Sequence, residues 1–214
     1  LVGSEMCIRD SAQQGLMTFD WPVDMQLRGY RPVVRGHNKQ VKEAAKLLAA
    51  AEQPVLYVGG GTLRAHASEE LAGLVRTTDA PVVTTLTARG AFPDSDPHHL
   101  GMPGMHGSVP AVTSMQKADL IVALGARFDD RVTGHVESFA PHAKVVHVDV
   151  DPAEISKIRV ADVPIVGDLK AVIPDLIDAV SELQRENGRV DLSGWWAMLN
   201  RIKDEYPLGY VPTE

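Results

Sequence analysis

Four charged side chains crowd the stretch GARFDDRVTG, residues 125–134: Arg127, Asp129, Asp130 and Arg131. They follow the apolar run DLIVAL and are separated from it by Gly125. Arginine presents a planar fork of N–H donors that matches the oxygens of a phosphate, and a glycine beside it lets a ligand pass close to the backbone. Asp129 and Asp130 are expected to keep the two arginines ordered in the absence of a ligand. The alternative is a surface cluster of ion pairs, each contributing only ~0–1 kcal/mol. The position at the end of an apolar run favours an anion grip.

Two more acids stand at similar places. Asp149 closes the run VVHVDV, where nucleotide-binding domains put a carboxylate for ribose hydroxyls, and Asp168 closes VPIVGD. Either can instead cap a following helix, as can Asp151 before PAEI. The triple glycine 59–61 after PVLYV serves as well for a tight turn as for a ligand contact, because it matches neither G-x-G-x-x-G nor a P-loop. The stretch 87–108 is long for a connection. Its centre, HHLGMPGMHG, offers methionines as an adaptable apolar wall, a surface Ω-loop being the other reading. His98, His99 and His106 lack the cysteine or carboxylate spacing of a zinc site, so no metal is expected. Donors for a diphosphate, an acid for a ribose and an apolar wall for a ring system make a dinucleotide site, suited to NAD or FAD.

The elements that must position these groups alternate. Helical spacing of Val41, Ala44, Ala45, Leu48 and Ala51 predicts a helix from about residue 38, with Asn38 as its cap. Apolar runs predict strands at 54–59, 81–86, 119–125, 143–150 and 163–167. Helices are expected near 67–78, 108–117 and 169–186, with a short helical turn through DPAEI. The fold class is α/β: a Rossmann-like, doubly wound parallel sheet with helices on both faces, whose strand ends share one rim. Residues 11–37, with WP at 21–22 and RP at 31–32, read as a linker, 38–187 as the central domain and 188–214 as a second linker. Trp195, Trp196 and Tyr206 in that second linker are expected to have few partners within the chain and to pack against something missing from it.

The bulk composition narrows the function classes. With 44% hydrophobic residues the chain can bury a core, and a formal charge of −7 speaks against a nucleic-acid surface or a polybasic membrane anchor. One cysteine, Cys7, allows no internal disulfide and suits a reducing cytoplasm. No apolar stretch reaches the ~20 residues of a membrane span. The opening LVGSEMCIRD joins neither a helix nor a strand, and reads as a cloning scar or a disordered terminus.

The segments PVLYVGGGT, PVVTTLTARGAFP, LGMPGMHG, DLIVALGARFDDRVTG, AKVVHVDVDPAEI and DVPIVGD occur in the order and spacing of one family. From about Phe19 onward the chain resembles the central domain of acetohydroxyacid synthase (acetolactate synthase) catalytic subunits, actinobacterial ones most, within the thiamine diphosphate superfamily. The resemblance implies FAD bound in an extended pose, in an enzyme whose reaction is not redox. It implies that Thr85, Leu86, Met105, His106, Gly107, Gly125, Arg127, Asp129, Arg131 and Val132 contact the flavin cofactor, Asp149 its ribose and Asp168 its adenine end. Met105, Asp130 and Arg131 match positions lining the family's substrate channel.

The family's catalytic glutamate and its metal and diphosphate motif have no match here, so no catalytic residue is expected in this stretch. Thiamine diphosphate and Mg2+ would be held by other domains. In the whole enzyme the resemblance implies condensation of two pyruvates, or of pyruvate and 2-ketobutyrate, to 2-acetolactate or 2-aceto-2-hydroxybutyrate in branched-chain amino acid biosynthesis. It further implies a homodimer or homotetramer with a small regulatory subunit. A free-standing dinucleotide-binding module without catalysis is the competing expectation.

Overall fold

A five-residue strand with no polar face needs cover on both sides, and PVLYV and LIVAL receive it. The structure, a computed structural model, describes residues 14–16, 18 and 33–209. The readings of residues 1–10, of WP and of RP fall on residues outside that set. The chain's contacts separate residues 1–31 from 32–214, and the second unit is described below.

Six strands form one sheet: β1 (Pro54–Val58), β2 (Val82–Thr84), β3 (His99–Gly101), β4 (Leu120–Leu124), β5 (Lys144–Asp149) and β6 (Val163–Val166). Their order is β3-β2-β1-β4-β5-β6 and every pairing is parallel. The helices between them are α1 (Asn38–Ala50), α2 (Gly61–Arg64), α3 (Ser68–Thr78), α4 (Val109–Lys117), α5 (Asp130–Thr133), α6 (Leu169–Asn187) and α7 (Ser193–Glu205). Both faces of the sheet are covered, as the apolar runs require. On one face Val41 and Leu48 of α1, Leu71 and Leu74 of α3, and Val172, Ile173 and Leu176 of α6 share a core with Leu56 and Val122. On the other, Ala111 and Met115 of α4 and Trp195 and Leu199 of α7 pack with Tyr57, Ile121, Phe128 and Phe139. The expected α/β class and doubly wound parallel sheet are what the chain adopts.

Four local expectations change. His37, not Asn38, caps α1, its Nδ1 accepting the Lys39 N–H at 3.3 Å. The long connection after β2 contains β3, a sheet edge whose His99 is buried by bonding Thr84 Oγ1 at 2.9 Å and Asp94 at 3.1 Å. DPAEI forms turns and no helix. Finally, Trp195 and Trp196 find their partners inside the chain: the indole N–H of Trp195 donates to Pro54 O at 3.1 Å, and that of Trp196 to Asp79 O at 2.9 Å. Tyr206 is half exposed. In packing, the central domain therefore continues to α7.

Candidate functional site

From β1 the chain proceeds to β2 and β3 on one side of the sheet, then crosses back to β4 on the other. The loops leaving β1 and β4 consequently diverge and open a crevice beyond the strand ends, the switch point at which such sheets bind ligands. A cleft of about 920 Å³ lies there. That is at the upper end of the ~300–1,000 Å³ of ligand pockets. Its lining comes from the ends of β1, β2, β4, β5 and β6 and from the loop after β3.

The glycines at the crevice exist for backbone proximity. A Cβ on Gly59 would collide with the carbonyl of Gly125, and one on Gly61 would lie 2.8 Å from Gly125 Cα. Gly61 N–H donates to Gly125 O at 3.1 Å, and Gly125 itself sits at φ +58°, in the left-handed region. The close approach is thus between two protein segments, and Gly59, Gly60 and Gly61 line the cleft as well. The sequence left these three undecided, because Gly125, which crowds Gly59 and Gly61, is more than sixty residues away, and Gly60 faces Thr87.

After Gly125 burial alternates: Ala126 and Phe128 are buried, while Arg127 is exposed at the cleft. Among the described residues no carboxylate pairs with Arg127, so the expectation that both aspartates order both arginines needs correction. Asp130 pairs with Arg131 Nη1 at 3.2 Å. Asp129 instead caps α5, its Oδ1 accepting the backbone N–H of Arg131 at 3.1 Å. Asp129, Arg131 and Val132 line the cleft together with Arg127, and Asp130 is not among the lining residues.

The other expected residues gather around the same space. Thr85 and Leu86 reach it from the end of β2, Asp149 from β5 and Asp168 from β6. The capping reading applies to Asp168, whose Oδ1 accepts from Lys170 N–H at 2.8 Å at the start of α6, whereas Asp149, with no helix after it, closes a turn, its Oδ1 accepting from Asp151 N–H at 2.9 Å. Each carboxylate is thereby fixed at the cleft edge. Met105 and His106 line the cleft with Met102 and Pro103, and Gly107 lies behind them, where a Cβ would strike Met102 O. Gly104, at φ +94°, lets this loop press on the backbone of Arg131, and Met105 N–H donates to Arg131 O at 3.3 Å. Arg64 and Glu154, which are not among the expected site residues, also line the cleft. Charge is divided unevenly across it: Arg64, Arg127 and Arg131, with Asp129 the one acid among them, stand by β1 and β4, while Asp149, Asp151, Glu154 and Asp168 stand by β5 and β6.

Beneath the β4 loop lie two buried polar side chains. Tyr57 O–H donates to Arg127 O at 2.9 Å, and His147 Nε2 lies 3.0 Å from Ala126 O. Burial pushes the Tyr57 phenol up, with Asp129 adding to the shift. It pushes the His147 imidazole down, against the pull of Asp149, the Ala126 carbonyl and Glu154. Away from the cleft, His98 sits between Asp79 and Asp96, each at 2.8 Å. No group of three or more His, Cys, Asp or Glu residues among those described is arranged to hold a metal ion, and no helix among them is long and apolar enough to cross a membrane.

Residues 41–176 match the family model for the central domain of thiamine pyrophosphate enzymes. The chain belongs to this family. The proteins most similar to it include the acetolactate synthase of Mycobacterium bovis, 59% identical over 199 residues, which are 93% of this chain and 32% of that protein. The acetolactate synthase large subunit of Corynebacterium glutamicum is 48% identical over 203 residues, 95% of this chain and 32% of its own length. That of Haemophilus influenzae is 41% identical over 185 residues, 86% and 32%. The resemblance read from the motifs is borne out, and this central domain spans about a third of the length of the relatives it matches.

Proposed function

We propose that this chain is the flavin-binding part of an acetolactate synthase large subunit, which joins two pyruvates, or pyruvate and 2-ketobutyrate, in branched-chain amino acid synthesis. The observation that carries the reading is Arg127, unpaired among the described residues and exposed to a cleft at the β1/β4 switch point. The divided charge fits FAD part by part. Arg127 and Arg131 would grip the diphosphate, Asp149 the ribose hydroxyls and Asp168 the adenine end, while Leu86 and Met105 give apolar surface to the ring system. Both apolar side chains are more than 70% exposed, which leaves them available to a ligand.

When bound, thiamine diphosphate supplies the electron sink for the decarboxylation, and the flavin changes no redox state. This chain's residues would bind and orient the flavin, and Met105, Asp130 and Arg131 would border the substrate channel. Residues 11–37 and 188–214 would lead to neighbouring domains that hold thiamine diphosphate and Mg2+. The whole enzyme would be a cytoplasmic homodimer or homotetramer with a small regulatory subunit, a partner supported by the term "large subunit" in the relatives' names.

A domain exchange tests the proposal. Residues 11–214 replace the corresponding segment of a full-length relative, and acetolactate formation is assayed. Acetolactate at a substantial fraction of the parent rate is expected. A folded, flavin-loaded but inactive chimera contradicts the proposal.

A further inference from the structure

The residues already described at the cleft do not explain Tyr57 and His147, which are polar, buried and out of reach of any ligand in it. Parallel register puts Tyr57 of β1 beside Ala123 of β4, and Ala123 beside His147 of β5, so the three form one row across the sheet. Ala123 presents only a methyl group between two rings. The ring of Phe128, folded back from the loop above, stands 5.5 Å from Tyr57 and 5.5 Å from His147. The row is thus a socket for Phe128, with a hydrogen-bonding tip on each side.

Those tips meet two successive carbonyls, Ala126 O from His147 and Arg127 O from Tyr57. The two peptide planes that flank Arg127 Cα are the planes so held. Fixing both leaves φ and ψ of Arg127 little freedom, and with them the direction of its Cα–Cβ bond. Ala126 O is only an acceptor, so the proton of His147 resides on Nε2. Its Nδ1 is buried with no partner among the described residues. A second proton there would be a buried, unpaired charge.

We propose that Tyr57 and His147 are positioning residues that clamp the peptides on either side of Arg127 and so aim its guanidinium into the cleft, His147 acting as its neutral Nε2–H tautomer. The inference rests on the flavin reading only for what Arg127 grips; the clamp itself can be measured without ligand. Acid works against it. Burial lowers the His147 pKa, opposed by Asp149, the Ala126 carbonyl and Glu154, while Asp129 and Arg127 act on Tyr57 in the same row. Opening that exposes His147 to water is therefore favoured by lowering the pH from 7.5 to 5.5, across the ordinary histidine value near 6.5, by at most about tenfold.

The test compares the 214-residue chain with Tyr57→Phe, His147→Phe and His147→Gln, in which glutamine keeps an Nε2 donor that does not titrate. Two quantities are read: exchange of the 126–132 amides by mass spectrometry, corrected for intrinsic rate, and FAD affinity by fluorescence quenching. At pH 7.5, Tyr57→Phe and His147→Phe are expected to speed exchange of these amides and weaken FAD binding, each by about threefold to tenfold. His147→Gln is expected to recover most of what His147→Phe loses and to abolish the acid loosening seen in the wild type. Amides of β1 and β4 serve as the control for overall folding. Should His147→Phe not fold, Tyr57→Phe and the pH response of His147→Gln carry the test. A loop equally protected in Tyr57→Phe and wild type, or an acid response unchanged in His147→Gln, overturns the clamp. Loosening of the loop in a chain that binds no FAD leaves the clamp standing and removes the flavin reading.

Discussion

The crevice between β1 and β4 and the junction between α7 and the β3 edge solve the same problem with opposite chemistry. At the crevice, neutral groups hold the backbone: Gly59 and Gly61 press on Gly125, while Tyr57 and His147 bond consecutive carbonyls. At the junction, charge does the holding. His98 bridges Asp79 and Asp96, its ring meets Trp196 edge-on at 5.3 Å, and Lys203 donates to Pro97 O at 2.9 Å. The difference teaches where a domain can use ion pairs. A charged fastener beneath an anion site would compete with the ligand for Arg127, whereas one at the sheet edge competes with nothing.

The largest expected effect comes from removing the anchor that holds α7 on the sheet beside that junction. Trp195 is buried on the sheet, so Trp195→Ala is expected to destabilise the chain by about 3–5 kcal/mol, read from urea midpoints. Its effect on FAD affinity under conditions where the variant is folded should be small, because the junction does not reach the cleft. Next is Gly59→Ala, whose methyl would be driven into the Gly125 carbonyl, at a cost of about 1–3 kcal/mol in the same assay. Here FAD affinity should fall with stability, since both loops that form the crevice must move apart.

A smaller effect separates the two histidines by pH. Burial alone would lower the His98 pKa, but its bonds to Asp79 and Asp96 raise it overall. A raised folded-state value means that the stabilisation is fully present below the unfolded histidine value, about 6.5, and is lost as the pH climbs through the folded value. The lowered value of His147 has the opposite sign: the unfolded state takes up the proton more readily, so stability rises with pH. Between pH 5.5 and 8, His98→Asn should therefore lose most relative to wild type at the acid end. His147→Gln should gain there relative to its own standing at pH 8. Urea titrations at several pH values check both slopes, and parallel slopes would erase the contrast between the two regions.

Most of the sheet was legible because its strands are apolar runs bounded by proline or glycine, as PVLYVG and DLIVALG show. β3 was hidden because three residues carry little pattern, and because His99 is buried only by virtue of Thr84 and Asp94. The tryptophans have no partner legible in the sequence because Pro54 and Asp79 lie more than a hundred positions away. At the site, charge beside strand ends picked out Arg127, Arg131, Asp149 and Asp168, which the fold brings to one cleft. Asp129 and Asp130 look alike in the sequence and differ only in their contacts: Asp129 caps α5 and lines the cleft, while Asp130 pairs with Arg131 outside the lining. The glycines and the clamp depend on contacts between distant strands. Even so, a tyrosine within PVLYV and a histidine within VVHVDV were a signal, as polar tips in apolar strands need partners.

The central claim is that Arg127 stands at the cleft to grip an anionic part of a flavin dinucleotide. FAD titrated by fluorescence into the wild-type chain and into Arg127→Ala tests it most directly. Saturable wild-type binding, weakened in the variant by about 1.5–3 kcal/mol, is the expected result. Equal affinity in a folded variant would contradict it.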